Sequence, residues 1–207
     1  ENENTVDILS LSKEFLYGFT IQTKNTFKRE SMTYMTMKRI TKREIDDFLW
    51  ESNAIEGVCD KESFLQARQA WEFLMTKKKL TVPVILKVHK ILSQNSHLLP
   101  TEQGFFRKVP VWVGGREGLR WDLIPAAMDS WIGDVETSLK IPGADGENIK
   151  IDHITVEHIH PFCDFNGRTF RHVMNWERVQ VGLPLLIIHA DWPDEDGDQR
   201  KYYSWFR

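Results

Sequence analysis

Twelve consecutive residues, His160 to Arg171, hold the side chains best suited to chemistry in this sequence, HPFCDFNGRTFR. A proline in second place ends the preceding helix, and Asn166-Gly167 leads into a new one. The free backbone N–H groups at the start of a helix, together with its macrodipole, attract anions. Arg168 and Arg171 lie three residues apart, so both project from one helix face and can bind neighbouring phosphates.

Two more side chains in this segment supply a metal ligand and a base. Asp164 offers the hard oxygen that Mg²⁺ prefers when it accompanies a polyphosphate. His160 has an ordinary pKa near ~6.5, so it can accept a proton at neutral pH. Each residue alone has a structural explanation, such as a helix cap, a surface ion pair or a core histidine. Their combination predicts a site of phosphoryl or nucleotidyl transfer.

This segment resembles the motif of the Fic family, His-Pro-Phe-x-Asp/Glu-Gly-Asn-Gly-Arg-x-x-Arg. The matching positions are His160, Pro161, Phe162, Asp164, Asn166, Gly167, Arg168 and Arg171. The resemblance extends over roughly residues 40–190. It implies an all-α Fic fold with a short β-hairpin flap and a single Fic domain over residues 1–207. Within that domain we expect an N-terminal region, 1–60, and a core, 61–190.

The resemblance also implies an activity, that of a protein adenylyltransferase. Such an enzyme uses ATP with Mg²⁺ to move AMP onto a serine, threonine or tyrosine hydroxyl of another protein, and it releases pyrophosphate. His160 would be the general base and Asp164 would hold the metal. The phosphate-binding residues implied by the motif are Asn166, Gly167, Arg168 and Arg171, the last of them on the outermost phosphate.

Phe165 departs from the motif, because the family has glycine at this position. A bulky residue does not readily adopt the backbone angles of glycine, and its ring could narrow the phosphate cradle. We expect the side chain to point away and the loop to keep its shape, with a weakened activity. The alternative is a degenerate Fic module that binds nucleotide or a partner protein without turnover.

A second resemblance lies upstream, in the six residues from Ser52 to Gly57, SNAIEG. They resemble the inhibitory motif Ser/Thr-x-x-x-Glu-Gly/Asn of self-restrained Fic proteins, on a predicted helix of about residues 41–56. Glu56 would pair with Arg171 and fill the place of the outermost phosphate, so that ATP binds in an unproductive pose. The alternative is an ordinary helix end with Gly57 as its cap.

Hydrophobic periodicity predicts the elements around these motifs. The expected helices are 41–55, 61–75, 82–92, 150–159 and 167–181, with a loop at 141–148. Alternating apolar residues around Gly114-Gly115 predict a hairpin flap of about residues 109–124. Its Val111, Trp112 and Val113 are candidates for pairing with an extended target segment. The last residues, KYYSWFR, resemble a helix cut off early, which suggests a missing C-terminal element.

Composition limits the partners of the chain. The net charge is −3, from 27 basic and 30 acidic residues, so no overall positive field indicates nucleic acid. We also expect no membrane partner, since no apolar stretch reaches the length of a bilayer span. Two cysteines, Cys59 and Cys163, favour a reducing compartment and hence a cytoplasmic location. The expected partner is a protein substrate, and a homodimer is left open.

A metal-dependent hydrolase is the competing enzyme class, because histidines are frequent near the motif. The candidate ligands are His153, His158, His160, Asp164 and His172. Against this interpretation, His158 and His160 point in different directions if their segment is helical.

Overall fold

The computed structural model describes residues 40–141, 145–191 and 193–206. Within these ranges the chain forms seven α-helices and one two-stranded antiparallel sheet. The helices are α1 (Lys42–Ala54), α2 (Lys61–Met75), α3 (Val82–Leu92), α4 (Ile124–Ser138), α5 (Gly146–Ile159), α6 (Asn166–Gln180) and α7 (Asp198–Ser204). The strands are β1 (Trp112–Val113) and β2 (Arg116–Glu117). The mainly helical class with a short hairpin is therefore confirmed. The predicted N-terminal region lies outside the described residues up to residue 39.

The helix α6 forms the centre of the molecule and packs against α1, α2, α3 and α5. Its apolar residues Phe170 and Trp176 are almost fully buried. Trp131 of α4 meets Phe170 edge to face at 5.6 Å between ring centroids. Burying a large apolar side chain contributes about 1.5–3 kcal/mol, so this layer fixes α6 firmly in place. The motif residues at the start of α6 are thus carried by the most buried helix.

Local hydrogen bonds fix both ends of α1. Thr41 and Glu44 form a capping box, in which the Glu44 amide donates to Thr41 Oγ1 at 3.2 Å and Glu44 Oε2 accepts from the Thr41 amide at 2.8 Å. At the other end Gly57 adopts a φ of 71° and its amide bonds the Ala54 carbonyl at 2.9 Å. Such a left-handed turn favours glycine. It places Glu56 two residues beyond the last residue of α1.

Two helices differ clearly from the prediction. The helix α4 was not predicted at all, although Ile124, Met128, Trp131 and Val135 recur at helical spacing and are all buried. The hairpin pattern that precedes it was extended too far and concealed its start. The helix α5 begins at residue 146, four residues early, because Asp145 caps it by accepting from two amides of its first turn. The predicted loop at 141–148 is correspondingly shorter.

The predicted flap of residues 109–124 is also too long. Each strand has two residues, with Trp112 opposite Glu117. The connecting Gly114 and Gly115 have φ values of 55° and 81°, as a type I′ turn requires. Residues 119 and 121 were expected in the second strand, but the chain turns into a single helical turn at Trp121–Leu123. The hairpin is therefore a short ribbon on the helical body.

A second apolar cluster joins the two ends of the described chain. It contains Ile55, which follows α1, Ile188 and Tyr202 of α7. Two hydrogen bonds reinforce it, from the Ala190 amide to Glu51 Oε2 at 2.8 Å and from Gln199 Nε2 to the Ile55 carbonyl at 3.3 Å. The end of α1 is thus held by the C-terminal segment. No helix in the described ranges combines the length and apolar character that crossing a bilayer needs.

Candidate active site

The site is built on the break between α5 and α6. His160 ends α5 with a φ of 49°, and Phe165 precedes α6 with a φ of 63°. The side chain of Asn166 closes the loop between them, since its Oδ1 accepts from the Phe162 amide at 2.9 Å and its Nδ2 donates to the Phe162 carbonyl at 3.0 Å. Both polar groups of the Asn166 side chain are therefore engaged within the loop. What this residue can offer a ligand is its backbone N–H.

The start of α6 opens on a cavity of about 880 Å³. Backbone amides in the first turn of a helix have no partner within that helix, so here they face the ligand space. The motif residues that line the cavity are His160, Asp164, Asn166, Gly167 and Arg171. Five residues predicted from the motif thus come together around one volume.

His160 is held in an orientation suited to a base. Its Nδ1 lies 3.3 Å from the carbonyl oxygen of Glu157 and 3.7 Å from Glu157 Oε2. With the proton on Nδ1, the Nε2 lone pair is available to a substrate. Burial lowers the pKa of His160, so the imidazole is neutral at neutral pH. Burial raises the pKa of Glu157 to about 7, against the opposing charge of Arg171 and with the support of Glu56.

Arg107 holds this loop from behind, and sequence patterns did not identify it. The side chain is buried, and its Nε donates to the His160 carbonyl at 2.7 Å while Nη1 donates to the Val109 carbonyl at 2.7 Å. Its Nη2 donates to the Leu119 carbonyl. One guanidinium thus ties both ends of the flap to the end of α5. No residue type marks these partners, because all of them are backbone carbonyl groups.

The flap passes directly over His160. A Cβ on Gly118 would lie at an ordinary contact distance of 3.6 Å from the His160 Cβ, but only 3.0 Å from Arg107 Nη2 and 3.1 Å from Val111 Cγ2, so glycine relieves crowding between the flap and Arg107. Val113 lines the cavity, whereas the side chain of Trp112 faces outward and is 71% exposed. Val111 is partly buried beside Gly118. The three predicted docking residues therefore lie along the rim rather than on one surface.

Asp164 presents a half-exposed carboxylate to the cavity. Its Oδ1 accepts from the Phe165 amide, and Oδ2 lies 3.4 Å from His97 Nε2. In the described part of the chain, no three His, Cys, Asp or Glu residues are placed to enclose a metal ion. A single carboxylate suits Mg²⁺ only when phosphate oxygens and water complete its six ligands. The donor set therefore fits a metal that arrives with a polyphosphate.

Arg171 is almost fully buried and binds the end of α1. Its Nε donates to Ser52 Oγ at 3.0 Å, and Nη2 donates to the Ser52 carbonyl at 2.8 Å and to Glu56 Oε1 at 2.7 Å. Burial alone would raise the pKa of Glu56, but the charge and hydrogen bond of Arg171 prevail and lower it. The predicted pair of Glu56 and Arg171 is therefore formed in the structure.

Gly167 makes room for this ion pair. A Cβ at this position would lie 2.8 Å from Arg171 Nη1 and 2.9 Å from Glu56 Oε1. These distances are shorter than normal contacts, so any side chain would push the pair apart. The glycine is required here for space rather than for an unusual φ.

Tyr202 of α7 approaches the same guanidinium from the opposite side, and it was not predicted from the sequence. Its hydroxyl lies 3.5 Å from Arg171 Nη1 and 2.9 Å from His153 Nε2. Burial lowers the pKa of His153 to about 3, so this histidine stays neutral in the core. The only sequence signal was the aromatic run at the C-terminus, which carried no spacing relative to the motif.

The histidines that suggested a hydrolase are dispersed. His153 bonds Tyr202, and the ring nitrogens of His172 lie 2.8 Å and 3.1 Å from the Arg168 and Ala67 carbonyls. Burial lowers the pKa of His172 to about 4, so it too is a neutral core residue. Only His158 and His160 line the cavity. A shared metal site of these histidines is thus not formed.

Arg168 differs from Arg171, because it contacts its own loop. Its guanidinium carbon lies 3.5 Å from the ring centroid of Phe165, and Nη2 lies 3.8 Å from Asp164 Oδ1. Arg168 is 8% exposed, and of these two stacked residues only Phe165 lines the cavity. The loop keeps its left-handed turn at Phe165, and this residue lines both the cavity and a second, smaller one beside α2.

Comparison with known proteins places this site in a family. Residues 79–177 match the profile of the Fic/DOC family. The protein adenylyltransferase Fic of Aedes aegypti is 26% identical over 216 positions, which cover 90% of this chain and 41% of that protein. The protein of the same name from Drosophila ananassae is 31% identical over 137 positions, which cover 65% and 25%. The chain thus spans less than half the length of these curated relatives.

A solved structure supports the same assignment at the level of the fold. A Fic-domain-containing signaling protein from Bacteroides thetaiotaomicron superimposes with a TM-score of 0.65 at 17% identity. The superposition covers 81% of this chain and 76% of that one. The profile match, the relatives and the shared fold agree with the motif at the break between α5 and α6, and together they support a Fic family protein.

Proposed function

We propose that this chain is a protein adenylyltransferase that transfers AMP from ATP to a serine, threonine or tyrosine hydroxyl of a target protein. The observation that carries the proposal is the convergence of the first-turn amides of α6, Arg171 and the His160 imidazole on one cavity. Its volume of about 880 Å³ is in the usual range for sites of nucleotide-sized ligands. The names of the curated relatives support the same chemistry.

In the proposed reaction, Nε2 of His160 accepts the proton of the target hydroxyl. The hydroxyl oxygen bonds the α-phosphorus of ATP, the bond between the α- and β-phosphates breaks, and pyrophosphate leaves. The carbonyl of Glu157 holds the other imidazole nitrogen and so fixes the tautomer. Amides at the start of α6 stabilise the negative charge on the phosphates. Bound Mg²⁺, held by Asp164, would neutralise part of this charge.

We further propose that α1 restrains the activity. Glu56 occupies the Nη2 of Arg171, which the outermost phosphate needs in the productive pose. Ser52 holds the same guanidinium through its hydroxyl and carbonyl. ATP would then place its α-phosphate out of line for attack, and alignment within a fraction of an ångström governs such transfers. Displacing Glu56 would free the guanidinium and activate the enzyme.

Target docking is proposed for the flap. The strand β1 has two residues and a free edge, so an extended target segment could pair with it. Val111, Trp112 and Val113 would contact that segment, and the approach of Gly118 to His160 would bring the target hydroxyl close to the base. The cytoplasmic location and a homodimer stay predictions.

The test compares wild type, Glu56→Gly, Glu56→Gln and His160→Ala with ATP labelled on the α-phosphate, Mg²⁺ and a cell lysate. Self-modification and labelling of other proteins are read on a gel. We expect more label with both Glu56 variants than with wild type, and none with His160→Ala. Glu72→Gln makes the same chemical change on the exposed face of α2 and should behave as wild type. Folded Glu56 variants that transfer no label would refute the proposal.

The second candidate is a degenerate Fic module that binds nucleotide without turnover. It is favoured by Phe165, which replaces the glycine of the motif at the cavity and carries the Arg168 guanidinium over its ring. Its signature is measurable ATP binding by Glu56→Gly without transfer of label to any protein.

A further inference from the structure

The side chain of Arg168 is occupied within its own loop. The guanidinium carbon lies over the Phe165 ring, 3.5 Å from the ring centroid, and Nη2 lies 3.8 Å from Asp164 Oδ1. Arg168 Nε is buried without a hydrogen-bond partner among the described residues. A phosphate would satisfy that donor, yet Arg168 does not line the cavity, whereas Phe165, on which it stacks, does.

Aromatic contacts hold the side chain of Phe165 in position. Its ring meets the His89 ring edge to face at 6.1 Å, and the His89 ring stacks on Phe162 at 3.8 Å. His89 Nε2 lies 3.1 Å from the Asp164 carbonyl, so this support belongs to the same loop. A non-glycine residue in the left-handed region costs about 1–2 kcal/mol. Contacts of the ring with His89 and with the Arg168 guanidinium offset this cost.

We propose that Phe165 holds Arg168 out of the phosphate cradle and thereby sets the affinity of the site for nucleoside triphosphates. The inference rests on the proposed function and adds a positioning residue to it. Phe165 touches no reacting atom in this scheme, because it acts through the guanidinium that it binds. A guanidinium stacked on a desolvated ring is attracted to the ring, so phosphate must compete with this contact.

The consequence is that two arginines are withheld independently. Glu56 of α1 holds Arg171, and Phe165 of the motif holds Arg168. Removing Glu56 alone leaves the Arg168 guanidinium stacked on the Phe165 ring. Full affinity for the triphosphate therefore requires both changes.

The experiment measures ATP binding by calorimetry with Mg²⁺ present. All variants carry Glu56→Gly, to free Arg171, and His160→Ala, to prevent turnover. Phe165→Leu removes the ring face and keeps an apolar side chain, Phe165→Gly also relieves the backbone, and Phe165→Tyr keeps the stacking surface. We expect the Leu and Gly variants to bind ATP about five- to thirty-fold more tightly, and the Tyr variant to match its parent.

Two readouts separate this role from a structural one. ATP binding by the Leu variant should weaken more steeply with salt than binding by the parent, since one more cation meets the phosphates. Adenosine, which has no phosphate, should bind all variants equally. A merely structural change would alter adenosine binding or the melting temperature without altering the salt dependence.

The outcomes are distinct. Equal or weaker ATP binding by the Leu and Gly variants, with the parent binding normally, overturns this inference and leaves the proposed function standing. Tighter binding by the Tyr variant overturns it too, because the ring face is still present. If no variant binds ATP, both the inference and the proposed function are wrong. Should Leu fail to fold, the Gly variant decides, since glycine tolerates a φ of 63°.

Discussion

Arg168 and Arg171 lie three residues apart on α6, yet their surroundings have little in common. Arg171 is bound by residues from far along the chain, Ser52 and Glu56 near its start and Tyr202 near its end. Arg168 is bound by Phe165 and Asp164, which precede it by three and four residues. One environment is assembled by tertiary structure, and the other is contained in the motif.

This difference separates two ways in which the proposed activity could be controlled. A contact made by α1 and α7 can be relieved by a partner or ligand that moves either helix, because the guanidinium itself need not change. A contact within the loop is independent of such movements and changes only when the loop or its ligand does. Under the two proposals above, the site therefore combines a restraint open to regulation with one that is built into its sequence.

Replacing Arg171 and Arg168 one at a time tests this difference most directly. Arg171→Met should destabilise the protein by about 3 kcal/mol, because it leaves Glu56 and the Ser52 carbonyl without their buried partner. Arg168→Met should cost only about 1 kcal/mol, since it removes one ring contact and one loose ion pair. Urea denaturation at neutral pH measures both. Equal losses would mean that the long-range contacts of Arg171 add nothing.

The surroundings of Arg171 also affect how the free energy of unfolding depends on pH. Burial raises the pKa of Glu157 from 4.5 to about 7, so the folded state retains this proton to a higher pH than the unfolded chain. Glu157 therefore lowers the free energy of unfolding as the pH rises from 4.5 to about 7, and it contributes no pH dependence below that window. The groups that act on it are Arg171, which opposes the shift, and Glu56, which adds to it.

Glu157→Gln should therefore stabilise the protein by roughly 2 kcal/mol at pH 8 relative to wild type, and by little at pH 4. Denaturation midpoints across this range, with Glu72→Gln as the control on α2, measure the effect. A constant difference between the two proteins at all pH values would show that Glu157 does not titrate in this window.

Local chemistry in the sequence predicted most of the motif but not its partners. The proline after His160 indicated a break between helices, and the structure has one. The spacing of Arg168 and Arg171 predicted one cation-bearing face, but Arg171 lines the cavity whereas Arg168 stacks on Phe165. The pairing of Glu56 with Arg171 was reached only through resemblance to a family motif, since 115 residues separate them. Propensity and periodicity carry no information about such distances.

The features that sequence patterns did not predict correctly share a physical cause, because each depends on how distant parts of the chain pack together. Arg107 binds backbone carbonyls, which every residue possesses, so no pattern of residue types marks it. Tyr202 matters because α7 folds back on Arg171, and periodicity within one helix does not report where that helix packs. The flap was overextended because alternating apolar residues continue into the turn before α4, where the chain forms a single 3₁₀ turn instead of pairing as a strand.

Gly167 offers a sharper test of how closely Arg171 is held. Gly167→Ala places a methyl group against Arg171 Nη1 and Glu56 Oε1, and it should destabilise the protein by about 1–2 kcal/mol. In a Glu56→Gly background one of the two clashes is gone, so the loss should shrink by about 0.5–1 kcal/mol. A double-mutant cycle in urea gives this coupling. A coupling of zero would place Glu56 away from the new methyl group.

The smallest expected effect concerns the attachment of α1 to the C-terminal segment. Glu51 Oε2 accepts the Ala190 amide at 2.8 Å, one turn before Glu56, and Glu51 does not line the cavity. Glu51→Ala should lower the free energy of unfolding by about 1 kcal/mol, because one partly buried hydrogen bond is lost. It should also raise label transfer a few-fold, since a loosened α1 presents Glu56 to Arg171 less often. Glu72→Ala is the matched control on the exposed face of α2. The rise must vanish in a Glu56→Gly background, where α1 has no carboxylate to present; a rise that persists there would mean that Glu51 acts on the site by another route.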